Sequence, residues 1–170
     1  MKKILILLSA LCVLAACGTL RQSPEERARA EAQIQERLDS RRYKVDINYM
    51  RPLRGASRAL TSPYSLTVNG DRVISYLPYF GVAYNVPYGG GKALNFEGKI
   101  LEYQEATVRG DRRRILFVTN SGEDQLIYQL DVFGNGKASL NVRSRNREAI
   151  DFDGFLDPDT DPAEEEKNNQ

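Results

Sequence analysis

The chain contains no histidine, and its two cysteines, Cys12 and Cys17, both lie near the start. Without an imidazole there is no histidine general base, no serine triad of the common kind and little scope for a zinc site. Beyond Cys17 there is no thiol, so neither a cysteine nucleophile nor a disulfide is available and that region must hold together by packing alone. Long apolar runs are missing too, apart from Ile4 to Val13, which only Ser9 interrupts. A spanning helix needs about 20 apolar residues, and this run is shorter.

What the N-terminus does have is an order of features. Lys2 and Lys3 form a positive start, the apolar run follows, and then comes Leu14-Ala15-Ala16-Cys17-Gly18. That is the layout of a secretory signal peptide. Its last five residues resemble the lipobox of bacterial lipoproteins, in which the cysteine thiolate is alkylated by a diacylglycerol donor and becomes the new N-terminus. Residues 1–16 are therefore expected to be a signal peptide and Cys17 the lipidation site, with several acyl chains giving stable anchoring. Gly18, in place of an aspartate, resembles outer-membrane sorting. The expected location is the cell envelope, at the outer membrane facing the periplasm.

Loss of the leader removes two of the 24 basic residues, leaving 22 against 23 acids. Eight acids follow Ile150, so the body from Cys17 to Ile150 carries 21 basic and 15 acidic residues. Its roughly 150 mature residues suit one core. Ser23-Pro24-Glu25-Glu26 reads as a capped helix start, with Ser23 as N-cap, Pro24 at the first helical position and Glu26 completing a capping box. Only Ile34 and Leu38 among its apolar positions are large, so residues 17–42 are expected to be an anchor and helical stalk. From Tyr43 the period becomes two. Tyr43, Val45, Ile47 and Tyr49 alternate with Lys44, Asp46, Asn48 and Met50, the pattern of a half-buried strand. Further strands are expected at Tyr64 to Val68, Val73 to Leu77, Ala93 to Phe96, Ile100 to Val108, Ile115 to Asn120, Leu126 to Phe133 and Ala138 to Val142. Asn69-Gly70-Asp71, Arg109-Gly110-Asp111, Ser121-Gly122-Glu123 and Gly134-Asn135-Gly136 mark turns between them. The expected class is α+β: an antiparallel meander of about seven to eight curved strands over residues 43–150, with one N-terminal helix. Residues 151–170 form an acidic tail, with Pro158 and Pro162, expected to be largely disordered.

One segment departs from ordinary meander. Leu77 to Gly91 concentrates Tyr79, Phe80, Tyr84 and Tyr88 with Pro78, Pro87 and four glycines. Together with Leu94, Phe96 and Gly98, the Tyr43 strand and the Asn69-Gly70-Asp71 hairpin, this run resembles the signature of domain-of-unknown-function family 4251, found among lipoproteins of Bacteroides-type bacteria. The resemblance covers most of the mature chain. It implies a lipoprotein and a fold, and it carries over no activity.

Two readings compete for the aromatic loop. Tyr79, Phe80, Tyr84 and Tyr88 either cap the end of a curved sheet, with glycines supplying the turns, or form a platform for a glycan, a small apolar ligand or a partner's loop. The first needs buried rings, and the second needs at least two exposed on one surface. Catalysis has less to recommend it. Asp71 with Glu97, or Glu102 with Glu105, could in principle serve as a glycosidase pair, but no spacing singles one out. Asp157, Asp159 and Asp161 alternate like the first ligands of a calcium loop, yet Pro162 stands where the turn glycine belongs and Asn168 closes it without a carboxylate. Arg109 to Arg114 reads as a soluble hairpin tip or, less simply, as a phosphate contact, and Arg41-Arg42 reads as solvated charge. The expected function is accordingly a lipid-anchored binding module for a small apolar or glycan ligand or an envelope protein. It is expected not to be an enzyme and to have no cofactor, metal or nucleic-acid partner. The alternatives are a structural or assembly factor of an envelope complex without a ligand pocket, and a carboxylate-dependent hydrolase.

Overall fold

The computed structural model describes residues 23–84, 94–122 and 124–163. The proposed leader, Cys17 and Tyr88 lie outside these residues. Helix α1 (Pro24–Asp39) begins with the expected capping box: Ser23 Oγ accepts from the Glu26 amide at 3.1 Å, and Glu26 Oε2 accepts from the Ser23 amide at 2.7 Å. Eight strands follow: β1 (Arg42–Pro52), β2 (Arg58–Asn69), β3 (Arg72–Leu77), β4 (Leu94–Thr107), β5 (Arg113–Ser121), β6 (Asp124–Val132), β7 (Lys137–Ser144) and β8 (Ile150–Asp157). Each pairs antiparallel with the next, and β8 returns to pair with β1.

The expected meander is therefore closed into a barrel. Closure rests on β8, which lies mostly in the acidic tail assigned to disorder. That assignment is corrected: within Ile150–Asp157 the apolar Ile150, Phe152 and Leu156 alternate with acids, so the strand buries one face and solvates the other. Beyond β8 the segment is tied to α1, where Arg37 donates to the Pro158 carbonyl at 3.1 Å and to Asp161 at 2.8 Å; residues 164–170 of the tail lie outside the described residues. Acidic composition concealed a strand whose carboxylates all point outward.

The interior follows the period of two. Tyr43, Val45, Leu66, Val68, Val73, Ile115, Phe117, Leu126, Tyr128, Leu130, Leu140 and Phe152 are all fully enclosed. Eight strands leave a bore that side chains can fill, and inside it the Phe117 and Tyr128 rings, register partners on β5 and β6, stack with centroids 4.8 Å apart. The few polar groups inside are partnered. Ser75 donates to the Leu94 carbonyl at 2.7 Å and lies 3.0 Å from the Tyr128 hydroxyl. Burial pushes the Tyr128 phenol well above its ordinary range.

Two bulges break the alternation. Between Ile47 and Tyr49 the register of β1 shifts against both neighbours, so Met50 is buried and Tyr49 is exposed, the reverse of the expected order. Between Ile100 and Glu102 a second shift turns Leu101 outward and lets β4 run through Gly98 as one strand, where two were expected. Opposite the first bulge sits Gly154, where a Cβ would overlap the Asp46 carbonyl oxygen. The barrel seam thus passes too close for any side chain there.

Helix α1 crosses one end of the barrel. Ile34 and Leu38 are buried against it, with Ile34 Cδ1 packed over Gly136 in the β6–β7 turn. Strand direction places the β2–β3 and β4–β5 turns at this end as well, and residues 53–57, the segment after Leu77, the β5–β6 turn and residues 145–149 at the opposite end. We refer to these as the helix end and the loop end.

Candidate functional site

The loop end is built on two acids that face inward. Asp124 opens β6 and its side chain is 5% exposed. It accepts from Ser144 Oγ at 2.7 and 2.8 Å, from Asn146 Nδ2 at 3.2 Å and from Arg147 Nε at 3.0 Å. These bonds fold residues 144–147 into a fixed turn. Glu148 follows, its side chain 2% exposed, with Oε2 accepting from the Val82 amide at 3.3 Å. Its other oxygen, Oε1, lies 3.1 Å from Arg54 Nε, an ion pair by distance in which the N–H is not aligned as a hydrogen bond.

The first part of the aromatic loop is fastened to this turn. The Glu148 amide donates to the Val82 carbonyl at 3.1 Å, the Tyr84 amide donates to the Asn146 carbonyl at 2.7 Å, and Ala83 forms a β-bridge with Arg147. Tyr79 donates its hydroxyl to the carbonyls of Val82 and Glu148, each at 3.1 Å, beneath the Arg147 guanidinium 5.6 Å from its ring. Partial burial pushes the Tyr79 phenol up, against the pull of Arg147. Beneath Tyr79, the space lined by Leu94, Leu126, Val142 and Ile150 is too small for a water molecule.

The aromatic residues therefore divide. Tyr79 packs, as a sheet cap would. Phe80 and Tyr84 do not: they are 48% and 66% exposed, alongside Val82 at 46% and Leu53 at 67%. The Phe80 ring carries the Arg58 guanidinium 4.7 Å above it. Arg54, Glu148, Val82 and Asn146 link the two loops through direct contacts, so Leu53, Val82 and Tyr84 belong to one surface. Sequence reading missed Leu53, Arg54, Asp124 and Glu148. Leu53-Arg54-Gly55 after the Pro52 strand end was a usable signal for the first pair. Burial of the two acids had none, because it depends on loops from three hairpins meeting.

The carboxylate pairs do not assemble. Asp71 and Glu97 lie on the outside of the barrel, ion-paired with Lys99 at 3.3 Å and Arg72 at 2.6 Å. The Arg72 hydrogen bond holds the Glu97 carboxyl below its usual range, the opposite of what a general acid needs. Glu102 and Glu105 stand three apart in β4, hence on opposite faces, and Glu105 is paired with Arg113. Asp157 accepts from Thr160 and from the Asp159 amide, while Asp161 accepts from Arg37 and the Ala163 amide, so these acids cap a turn. Among the described residues no group of three metal-ligating side chains occurs.

The arginine turn is also reassigned. Arg113 donates to Gln35 at 2.7 Å, to Asp39 at 2.8 Å and to Glu105, clasping α1 to the barrel. Arg114 makes a two-pronged pair with Asp131 at 2.7 and 2.8 Å. Arg112 lies 3.9 Å from the same carboxylate and 5.9 Å from the Phe133 ring. These cations are internal ties, and neither the soluble-tip reading nor the phosphate reading describes them. Arg41, at a left-handed φ of 52° between helix and barrel, places its guanidinium 4.1 Å above the Tyr103 ring. At this end there is one open groove of about 560 Å³, between α1 and the β6–β7 turn, lined by Arg27, Glu31, Ile34, Asp111, Asn135 and Leu156 among others.

Comparison with known proteins places this geometry. The family described as "Domain of unknown function (DUF4251)" matches residues 25–156, which takes in α1 but for Pro24, all eight strands but for Asp157, and the loop end. The fold is similar to that of a DUF4251 family protein from Bacteroides eggerthii DSM 20697, known from a crystal structure. The TM-score is 0.57 at 16% identity, covering 75% of this chain and 86% of that one. A search of curated proteins found no match.

Proposed function

We infer the function from the premise that the chain belongs to the DUF4251 family, whose description names no activity, and from the contrast between its two ends. We read it as a lipid-anchored cell-envelope protein in which the barrel is a rigid mount and the loop end is the binding surface. One observation carries this reading: Leu53, Phe80, Val82 and Tyr84 are 46–67% exposed, and the backbone of Val82 and Tyr84 is pinned from below by Glu148 and Asn146. Exposed apolar side chains on a fixed frame lose little entropy on binding, which is what a docking surface requires. A filled bore argues against a small apolar ligand held inside the barrel. Asp71, Glu97 and Glu105 are committed to ion pairs and Glu102 faces away from Glu105, which supports binding over hydrolysis.

The anchor suits this arrangement. Cys17 precedes the N-cap Ser23 by six residues, a reach of about 20 Å at most. Helix α1 therefore keeps its own end of the barrel near the membrane and directs the loop end away from it, into the periplasm on the outer-membrane reading. The test is a photo-crosslinking residue at Tyr84 in the full-length protein in living cells. A discrete adduct that disappears with Phe80→Ala and with Cys17→Ser is the expected result. No adduct from folded, anchored protein would overturn the reading. Failure of Cys17→Ser to block palmitate labelling would remove the lipid anchor from it.

A further inference from the structure

From the charges around the loop-end surface we propose that its partner is a protein presenting an apolar groove edged by carboxylates. The proposal rests on the binding-surface reading above and adds the chemistry of what is bound. Beneath the exposed Leu53, Phe80, Val82 and Tyr84, the acids Asp124 and Glu148 are inside, at 5% and 2% side-chain exposure, while Asp151 and Asp153 lie on the outer wall against Asn141 and Arg51. Arg147 is held inside on Asp124, but three other cations stand on the rim. Arg54 lies with Nε 3.1 Å from the buried Glu148 carboxylate and its side chain remains 76% exposed, so much of its guanidinium is open to solvent. Arg58 lies over the Phe80 ring, which fixes its plane at the edge of the apolar patch, and Arg145 is exposed beside the Asn146 anchor. A solvent-exposed guanidinium presents a planar fork of N–H donors that a carboxylate accepts in two parallel bonds.

The apolar tips project above a floor that holds no water-sized space. They are therefore knobs, and the complementary shape is a groove on another surface. A protein groove is favoured over a lipid bilayer because the short tether at the helix end points these knobs away from the anchoring membrane.

The experiment uses the Tyr84 crosslinker again, now in the full-length protein carrying Arg54→Glu and Arg58→Glu, with Arg54→Lys and Arg58→Lys as the charge-preserving control. The captured peptide is sequenced by mass spectrometry in the parent. The proposal expects an adduct peptide with Asp or Glu flanking apolar residues. It also expects loss of at least about tenfold in adduct yield on charge reversal, as for paired rim and anchor charges, with most of the yield kept in the lysine variant. Reversal without loss, a basic captured peptide, or a lipid-sized adduct would each overturn it while leaving the binding surface standing. No adduct in the parent would overturn both.

Discussion

The two ends of this barrel use the same residue types to opposite ends. At the helix end, Ile34 and Leu38 are buried, and Arg37, Arg113 and Arg114 each meet a carboxylate within 2.8 Å. At the loop end, Leu53, Phe80, Val82 and Tyr84 stand in solvent, and the acids are underneath. At the first end these side chains are buried or paired with one another, so they act in stability. The second holds its backbone with buried acids and leaves its apolar side chains unused by the fold. An arginine or a tyrosine thus carries no fixed meaning here, and what lies beneath it decides.

The sharpest way to break this contrast is to remove the frame both ends share. Gly154→Ala puts a methyl group on the Asp46 carbonyl at the β1–β8 seam. It is expected to cost about 3 kcal/mol or more, seen as a fall of roughly 10 °C in thermal melting followed by circular dichroism. A melting temperature within a degree or two of the parent would show that the seam is looser than described. Next comes the helix end itself. Leu38→Ala empties a fully buried site and is expected to cost about 2–4 kcal/mol by urea denaturation. An effect under about 1 kcal/mol would mean that α1 contributes little to closing the barrel.

Arg113→Met tests the polar side of the same end. It leaves Glu105 and Asp39 without their partner, and a loss of about 1–2 kcal/mol is expected, given that Arg113 is only 18% exposed. Neutral behaviour would put the whole clasp on Ile34 and Leu38. A smaller effect follows from pH. Hydrogen bonds from Thr160 and from the Asp159 amide hold the Asp157 carboxyl below its usual range, and the Ala163 amide and Arg37 do the same for Asp161. For carboxyls lowered in the folded state, the stabilisation is present above the ordinary aspartate range near 4 and is lost as pH falls through the lowered values. Protection of the non-proline amides in residues 158–163 against hydrogen exchange, relative to the intrinsic rate at the same pH, should accordingly fall below about pH 4, and Thr160→Val should shrink the effect. Unchanged protection at pH 3 would contradict it. The smallest stability effect is expected at the loop end: Phe80→Ala and Tyr84→Ala should each stay within about 0.5 kcal/mol, and Phe80→Ala should abolish the crosslink made from position 84. A loss comparable to Leu38→Ala would make these rings part of the core and end the contrast.

Much of the barrel was legible beforehand. Ser23 and Glu26 announced the helix, and the alternation from Tyr43 and around Phe117, Tyr128 and Leu140 announced the strands. A side chain's facing follows from a period of two, and that period is local. Bulges are not: Met50 and Tyr49 exchange faces because β1 must accommodate β2 and β8 at once. Of the candidate site, the aromatic loop was found, but which of its rings are free was not. Tyr79 differs from Tyr84 only in reaching Glu148, a residue 69 positions away.

By itself, then, the sequence determined the helix start, the strand periods, the turns and the absence of thiol and imidazole chemistry beyond Cys17, because each depends on neighbours a few residues apart. Only the tertiary structure decided that the meander closes, that an acidic tail supplies the closing strand, that the arginine turn is an internal clasp and that the loop end exposes its apolar residues. Each of these depends on pairing between residues far apart in the chain, for which burial and charge are properties of the assembled barrel.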